Sequence, residues 1–416
     1  MRQVNDHSPI ASSIANNYQP LIEQYQAHSD AFFSSTKHTL LAAPPFANLL
    51  KAGTQNLAQQ ANESLRFAKD LGFNNPIVLG AVPFDVKRPA YLRVSTNVKT
   101  AAGLEHLKHL NPKTMQNVSL EKGIVTAIPE PDVFRKSVTQ ALDKFCTSNL
   151  EKVVLSRTLS VDYSSPPDTQ ALLKNLAVKN THGFTFAVDL KPGEDPQHVH
   201  ALVGASPELL ISRVGHRIIA HPLAGSEPRS SDPVVDNLRA QQLLHSEKDL
   251  REHALVIKSI RQALSPFCKS LDIPTSPSLV STDALWHLGS YIEGELHDES
   301  TCSLTLALAM HPTPAVCGYP TQSAFDAIHE LENYDRHLFT GMVGWCNSDG
   351  DGEWAVTIRC AQIDNHQVRL YAGAGIVTGS DPQKETAETD AKFNTLLNAM
   401  GVSLDNSSNN SGAPEK

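Results

Sequence analysis

Two acidic doublets with the same spacing are the residues of this chain best suited to chemistry. Asp249 and Glu252 stand three positions apart, and so do Glu385 and Glu388. Residues three apart on a helix share a face, so each doublet would direct two carboxylates the same way. Carboxylate oxygens are ligands that Mg²⁺ prefers. The doublets therefore suggest a magnesium site between two helices, and the alternative is a pair of solvated helix faces.

Two helices must carry these doublets. Residues 238–264 lack Gly and Pro, and their apolar side chains recur at steps of three or four, which predicts one long amphipathic helix around the first doublet. The second doublet follows Asp381, a suitable N-cap, and Pro382 at the first helical position. Lys392 falls on the same face as this doublet. The glycine-rich segment 373–379 is predicted to be a loop before the helix.

The remaining elements are mainly strands. A helix is predicted over residues 129–148, and β-branched or alternating patterns predict strands at 76–84, 152–161, 200–212, 353–363 and 367–373. Asp364-Asn365-His366 between the last two strands indicates a hairpin. Arg359 alternates with Trp354, Val356 and Ile358, so it should project from the face opposite these apolar residues.

Composition limits the class of protein. The 416 residues carry a net charge of −9 and are 40% hydrophobic and 19% charged, as in an ordinary globular protein. This acidic balance argues against nucleic acid as a partner. Six cysteines without a C-x-x-C pair indicate reduced thiols rather than zinc ligands or disulfides. No signal peptide or membrane-length apolar run is apparent, so we expect a cytoplasmic protein with no membrane partner.

The chain has neither repeats nor a convincing linker, although its length favours two or three domains. We therefore expect a single catalytic domain over residues 28–402 and a monomer. Residues 1–27 have weak periodicity and no assigned role. The polar tail 403–416 is predicted to be disordered, because it cannot bury a core.

Six strings, in this order, resemble the chorismate-utilising enzymes, which include anthranilate synthase component I. They are Lys152–Arg157, Gly204–Leu210, Pro222–Ser226, Ser246–His253, His311–Ala315 and Gly373–Val377. The resemblance is strongest over residues 115–402. It is closest to the isochorismate synthases, especially those of siderophore pathways. It implies an α+β fold in which two α/β halves pack large antiparallel sheets as a core, with helices outside and the active site in the cleft between the halves.

The resemblance also implies a reaction. Isomerising chorismate to isochorismate adds water at ring C2 while the C4 hydroxyl leaves, which requires a base and an acid on opposite sides of the ring. Lys152 is the implied base and Glu208 the implied acid. The lysine must be able to take up a proton and the glutamate must keep its own. A dry cleft favours both conditions.

The same resemblance implies binding roles for other residues. Glu252 and Glu388 would be direct Mg²⁺ ligands, with Asp249 and Glu385 holding metal-bound waters. The metal would clamp the ring carboxylate of chorismate between acid and base.

Further residues are implied to bind the substrate. Arg359 and the backbone of Gly225 and Gly375 would hold the enolpyruvyl carboxylate. Lys392 would add positive charge beside the metal-bound carboxylate. His287 would orient the substrate, unless it is a structural histidine.

Details of the strings bear on which reaction is catalysed. Lys152 and Ala224 stand where amine-adding relatives commonly carry glutamine or lysine respectively, so water is the expected nucleophile. Ala315, Val316 and Phe339 would form an apolar wall that leaves isochorismate intact. Three alternatives remain: a salicylate synthase, a menaquinone-pathway isochorismate synthase, and a catalytically silent protein that only binds. Salicylate synthases resemble one another in a threonine at the position of Ala315.

Overall fold

The computed structural model describes residues 21–44, 46–48, 56–103, 118–191 and 198–404. Most of the predicted N-terminal segment 1–27 and all but two residues of the predicted tail 403–416 lie outside these ranges. Among the described residues, no helix has both the length and the apolar character needed to cross a membrane. All six cysteines are described, and each is a free thiol.

Ten of the described strands form the first antiparallel sheet. In spatial order they are β18 (Gly318–Tyr319), β8 (Lys152–Asp162), β22 (Gln367–Val377), β21 (Cys360–Asp364), β10 (His200–Ser206), β9 (Phe184–Asp189), β1 (Ala31–Ser34), β2 (His38–Ala42) and β6 (Val98–Ala102), and β7 (Ile124–Ile128) also pairs with β8. The long pair β8 and β22 holds Lys152 opposite Val377 and Val154 opposite Gly375.

Nine described strands form the second sheet. Their order is β14 (Cys268–Asp272), β17 (Ile292–Leu296), β12 (Arg217–His221), β11 (Leu209–Val214), β20 (Gly352–Val356), β19 (Met342–Asn347), β4 (Ile77–Val82), β5 (Tyr91–Ser95) and β3 (Phe46–Asn48). A smaller sheet contains β13 (Leu223–Pro228), β16 (Leu285–Gly289) and β15 (Ser278–Ser281).

Eight of the described helices pack against the two large sheets, and the helix Pro233–His245 packs against the small sheet. In chain order the helices are α1 (Leu21–Gln24), α2 (Leu57–Asp70), α3 (Pro131–Thr147), α4 (Thr169–Lys179), α5 (Pro233–His245), α6 (Glu247–Leu264), α7 (Ser303–Met310), α8 (Thr321–Leu331) and α9 (Pro382–Met400), with a 3₁₀ turn at Ser265–Phe267. Helices α1, α4 and α9 share a buried cluster with the first sheet, and α2, α6 and α7 share one with the second. A third cluster, which includes Phe33, Leu40, Leu79 and Trp345, joins the two sheets. The predicted architecture of packed antiparallel sheets with helices outside is confirmed.

Two predicted strands are wrong in the same way. Residues 200–212 divide into β10 and β11, and residues 353–363 divide into β20 and β21, with the two members of each pair in different sheets. Pro207 cannot donate a ladder hydrogen bond, so the first strand ends before it. Arg359 has φ 49°, which breaks the second. At these two places, hereafter the crossings, the chain passes from one sheet to the other.

The predicted helix 238–264 is likewise two helices, α5 and α6. They meet at Ser246, whose hydroxyl accepts a hydrogen bond from the backbone N–H of Asp249 (3.3 Å) and so caps α6.

The segment 373–379 is not a loop throughout, since β22 continues to Val377. The predicted hairpin is confirmed, with Asp364 paired to Gln367. The predicted Asp381 cap of α9 is also confirmed.

Candidate active site

A cleft of about 660 Å³ lies where the crossings, the small sheet and α9 meet. Most of the residues predicted for the site line it, namely Glu208, Gly225, Glu252, His287, Ala315, Val316, Phe339, Arg359, Gly375, Glu388 and Lys392. Lys152, Asp249 and Glu385 do not line the cleft and lie behind those that do. The structure brings the predicted residues together, and their individual roles stay predictions.

Glu208 stands at the first crossing, directly after Pro207, and is 3% exposed. Burial raises the pKa of its carboxyl to about 7, although the Leu223 N–H (3.4 Å) and the charges of Lys152 and Lys392 pull it down. The group therefore keeps its proton in a substantial fraction of molecules near neutral pH. This is the protonation state that a general acid requires.

Lys152 begins β8 and has no exposed surface. Its Nζ lies 2.9 Å from Glu252 Oε1, but the contact is an ion pair without hydrogen-bond alignment. A Cβ at Gly375 would lie only 2.2 Å from the same oxygen, so glycine is needed for Glu252 to occupy this place. Lys152 therefore does not line the cleft itself but contacts Glu252, which does.

The second doublet is also paired with lysines. Glu388 Oε1 accepts hydrogen bonds from Lys392 Nζ (2.5 Å) and Ser226 Oγ (2.8 Å). Glu385 Oε1 accepts one from Lys248 Nζ (2.7 Å), which links α6 to α9. Burial alone would raise the pKa of Glu388, but the charge of Lys392 holds it below its ordinary value.

Glu385 and Asp249, the two carboxylates behind the cleft, both have raised pKa values. Burial, followed by repulsion from Glu388, raises the pKa of Glu385 to about 7 despite Lys248. Burial raises the pKa of Asp249 to about 6, and Glu252 and Glu388 add to the rise. Four carboxylates share this region, so an additional cation would be stabilised there.

Whether these carboxylates fit Mg²⁺ depends on how many converge. In the described ranges, no set of three or more His, Cys, Asp or Glu side chains could hold a metal ion. A four-carboxylate cage is therefore not formed. Glu252 and Glu388 both face the cleft, and the missing Cβ at Gly375 leaves space for the Glu252 carboxylate. This donor set fits an ion held by two carboxylates, with its other ligands from water and substrate.

Arg359 stands at the second crossing and lines the cleft while being only 6% exposed. Its Nη1 donates to Thr395 Oγ1 (3.1 Å), and no carboxylate in the described part of the chain forms an ion pair with it. Burial lowers the pKa of Arg359 to about 10, and Glu388 offsets part of that effect. A buried guanidinium that faces a cleft and forms no ion pair with a described carboxylate is suited to bind an anionic ligand.

His287 lies on β16 and also faces the cleft. Its Nε2 is buried and has no hydrogen-bond partner among the described residues. Burial holds the pKa of this imidazole well below its ordinary value, so the ring is neutral. An unpaired buried nitrogen disfavours the alternative of a satisfied structural histidine.

The apolar wall predicted from Ala315, Val316 and Phe339 is larger than expected. Ile358 and Tyr371 extend it, and the rings of Phe339 and Tyr371 stack with centroids 5.0 Å apart. Sequence reasoning also missed other lining residues: Val154, Pro207, Leu223, Ala224, Ser226, Thr340, Ala372 and Gly373. Six of these lie inside the six strings, which was the available signal: Val154, Pro207, Leu223, Ala224, Ser226 and Gly373.

Comparisons with known proteins agree with this geometry. The family described as chorismate binding enzyme matches residues 87–401. The isochorismate synthase DhbC of Bacillus subtilis is 45% identical over 92% of this chain and 96% of its own length. The vibriobactin-specific isochorismate synthase of Vibrio cholerae is 40% identical over 92% of this chain and 94% of its own length.

Solved structures of isochorismate synthases are also similar to this chain. A crystal structure of the putative 2,3-dihydroxybenzoate-specific isochorismate synthase DhbC from Bacillus anthracis matches with a TM-score of 0.86 and 45% identity, over 92% of this chain and 99% of that one. The menaquinone-specific isochorismate synthase MenF from Escherichia coli shares the fold, with a TM-score of 0.74 at 23% identity over 92% of this chain and 91% of that one. The chain belongs to the family of chorismate-binding enzymes.

Proposed function

We propose that this protein isomerises chorismate to isochorismate for siderophore biosynthesis. The observation that carries the proposal is the presence, in one cleft, of Glu208, whose carboxyl has a pKa of about 7, and of Arg359, a buried arginine with no ion-pair partner among the described residues. Chorismate is a dicarboxylate whose reaction needs an acid, so these groups match its chemistry. Two relatives are named as specific for vibriobactin and for 2,3-dihydroxybenzoate, and these names support a role in siderophore biosynthesis.

In the proposed reaction, Arg359 binds one carboxylate of chorismate and fixes the ring. Glu208 gives its proton to the C4 hydroxyl, which leaves as water. Lys152 takes a proton from the water that adds at C2, so one water enters and one leaves. To accept that proton Lys152 has to be a neutral amine, so its ion pair with Glu252 must break and its ammonium must first release a proton to solvent.

We further propose that Glu252 and Glu388 hold Mg²⁺. When bound, the ion would supply positive charge that binds the ring carboxylate of the substrate. Two lysines, Lys152 and Lys392, now contact these carboxylates and neutralise part of their charge. The free state of all six cysteines accords with a reducing, cytoplasmic location. A monomer remains our expectation, which light scattering would test.

The proposal is tested by incubating the purified protein with chorismate and separating the products, with and without Mg²⁺. We expect isochorismate only when Mg²⁺ is present, and no pyruvate. Stoichiometric pyruvate would instead identify a salicylate synthase. Chorismate that binds but is recovered unchanged would identify a silent binding protein.

A further inference from the structure

A buried ion pair lies behind the apolar wall of the cleft and does not touch the cavity. Glu332 follows α8, and Arg336 is four residues later in the connection to β19. Their side chains are 3% and 2% exposed. The carboxylate and guanidinium meet in a two-pronged contact, with Arg336 Nη2 2.6 Å from Glu332 Oε1 and Nε 2.8 Å from Oε2. Neither residue lines the cleft.

The other donors of Arg336 hold residues that do line it. Nη1 donates to the carbonyl oxygen of Val316 (2.9 Å) and to Thr340 Oγ1 (3.3 Å), and Nη2 donates to the carbonyl oxygen of Val154 (2.6 Å). A guanidinium has five N–H donors, and all five are used here. Arg336 therefore has no donor left for a ligand.

Glu332 extends the same contact to β8. Its Oε1 accepts hydrogen bonds from both the backbone N–H and the hydroxyl of Ser156, each at 2.7 Å. Ser156 stands four residues after Lys152 on this strand. The guanidinium also lies over the ring of Phe84, 4.8 Å from its centroid, which fixes its plane.

We propose that Arg336 and Glu332 form a positioning pair for the reaction. The pair joins the strand that carries Lys152 to the wall segments at Val316 and Thr340. These segments come from separate parts of the chain, and the guanidinium is a common hydrogen-bond donor to all of them. The pair thereby sets the distance between the implied base and the wall against which the substrate ring rests. The inference rests on the proposed function, in which that distance governs turnover.

The test replaces Arg336 by Lys, which keeps the charge but has three donors and no planar fork. The matched control is Arg213→Lys. Arg213 is 2% exposed and donates to the carbonyl oxygens of Asp349 (2.8 Å) and Glu299 (2.7 Å), neither of which lines the cleft. We expect Arg336→Lys to lower kcat for isochorismate formation at least tenfold, with KM changed less than threefold. Arg213→Lys should keep kcat within twofold at a comparable fall in Tm.

Amide hydrogen exchange supplies a readout that does not depend on turnover. We expect Arg336→Lys to speed exchange in peptides covering residues 152–157 and 313–318, and Arg213→Lys to leave those peptides unchanged. Glu332→Gln, a milder change, should shift exchange and kcat in the same direction. Unchanged exchange in these peptides, or equal losses of kcat in both arginine variants, would overturn the proposal. A wild-type protein that makes no isochorismate would contradict the proposed function, while the exchange result would still decide the positioning role.

Discussion

At the scale of single residues, the cleft combines groups whose charges are set by burial. Burial drives Glu208 toward its neutral form, and Arg359 forms no ion pair with a described carboxylate, although Glu388 partly supports its charge. The two stand at opposite crossings and face the same volume. One side of the site can therefore donate a proton while another binds an anion, without either group neutralising the other.

Replacing Glu208 by Gln should remove the general acid. We expect kcat to fall by about 10²–10⁴, the usual contribution of such a group, with little change in KM. In the wild type, kcat/KM should decline as pH rises through about 7, because the acid loses its proton there. The pH–rate profile between 6 and 9 checks this. A wild-type profile that stays flat across pH 7 would exclude Glu208 as the acid.

The same variant changes how stability depends on pH. Because burial raises the pKa of Glu208 to about 7, its contribution to stability is fully present below its unfolded pKa of 4.5 and is lost as pH rises through 7. The loss amounts to roughly 3 kcal/mol for this single group. Glu208→Gln should therefore become more stable relative to wild type between pH 5 and 8. Urea unfolding at both pH values measures the difference.

Arg359→Lys should weaken substrate binding more than turnover. A lysine cannot reproduce the planar two-pronged contact with a carboxylate. We expect KM for chorismate to rise about tenfold or more, equivalent to a loss of at least roughly 1.4 kcal/mol of binding free energy. Steady-state kinetics at saturating Mg²⁺ test this. A KM equal to that of wild type would show that Arg359 does not contact the substrate.

Several residue identities were predictable from the sequence because they lie in strings that carry chemistry. Glu252, Glu388, Glu208 and Arg359 were expected in one site and are found together there. Tyr371 was not predicted, because an aromatic residue in a strand gives no sign of whether it faces a core or a cavity. Lys392 was expected beside Glu388 because the two residues share a helix face, whereas the contacts of Lys152 with Glu252 and of Lys248 with Glu385 were unpredictable, since they join residues far apart in the chain.

At the scale of elements, the sequence predicted most helices and strands but not where they break. The residues on both sides of each crossing are buried, so the apolar pattern continues from one sheet into the other. Periodicity cannot distinguish one long strand from two strands in different sheets when both are buried. The break between α5 and α6 did carry a signal, because Ser246 is a favoured N-cap residue.

The cap of α6 provides an element-scale prediction. Ser246→Ala should destabilise the protein by about 1 kcal/mol through loss of the bond to the Asp249 N–H. It should also raise the Mg²⁺ concentration needed for activity, because the first turn of α6 holds Asp249 next to Glu252. Asp168→Ala is the matched control, since Asp168 caps α4 away from the cleft by accepting from the Ala171 N–H (2.9 Å).

Both cap variants should lose similar stability in urea unfolding, and only Ser246→Ala should change the Mg²⁺ requirement. An identical Mg²⁺ titration for the two variants would mean that the position of α6 is not set by its cap.

At the scale of the whole molecule, the two large sheets share a core and are joined by the crossings. The cluster between them contains side chains from both, including Phe186 of the first sheet and Trp345 of the second. The single domain at 28–402 stays a prediction.

Phe186→Ala tests whether the sheets unfold together. The ring is fully buried, and its loss should cost about 3–5 kcal/mol. If the sheets form one cooperative unit, the urea transition should shift as a whole with its slope unchanged. The appearance of a second transition would show that the two sheets are separate folding units.

The strand order also determines when the molecule can fold during synthesis. The first sheet places β1, from the start of the described chain, beside β9, and it is completed only by β22, which ends at Val377. The second sheet places β4 beside β19, so it needs residue 347. A ribosome must therefore release most of the chain before either sheet closes, and unpaired strand edges are exposed until then. Arg359 is synthesised 151 residues after Glu208, so the two sides of the cleft cannot come together until late in translation.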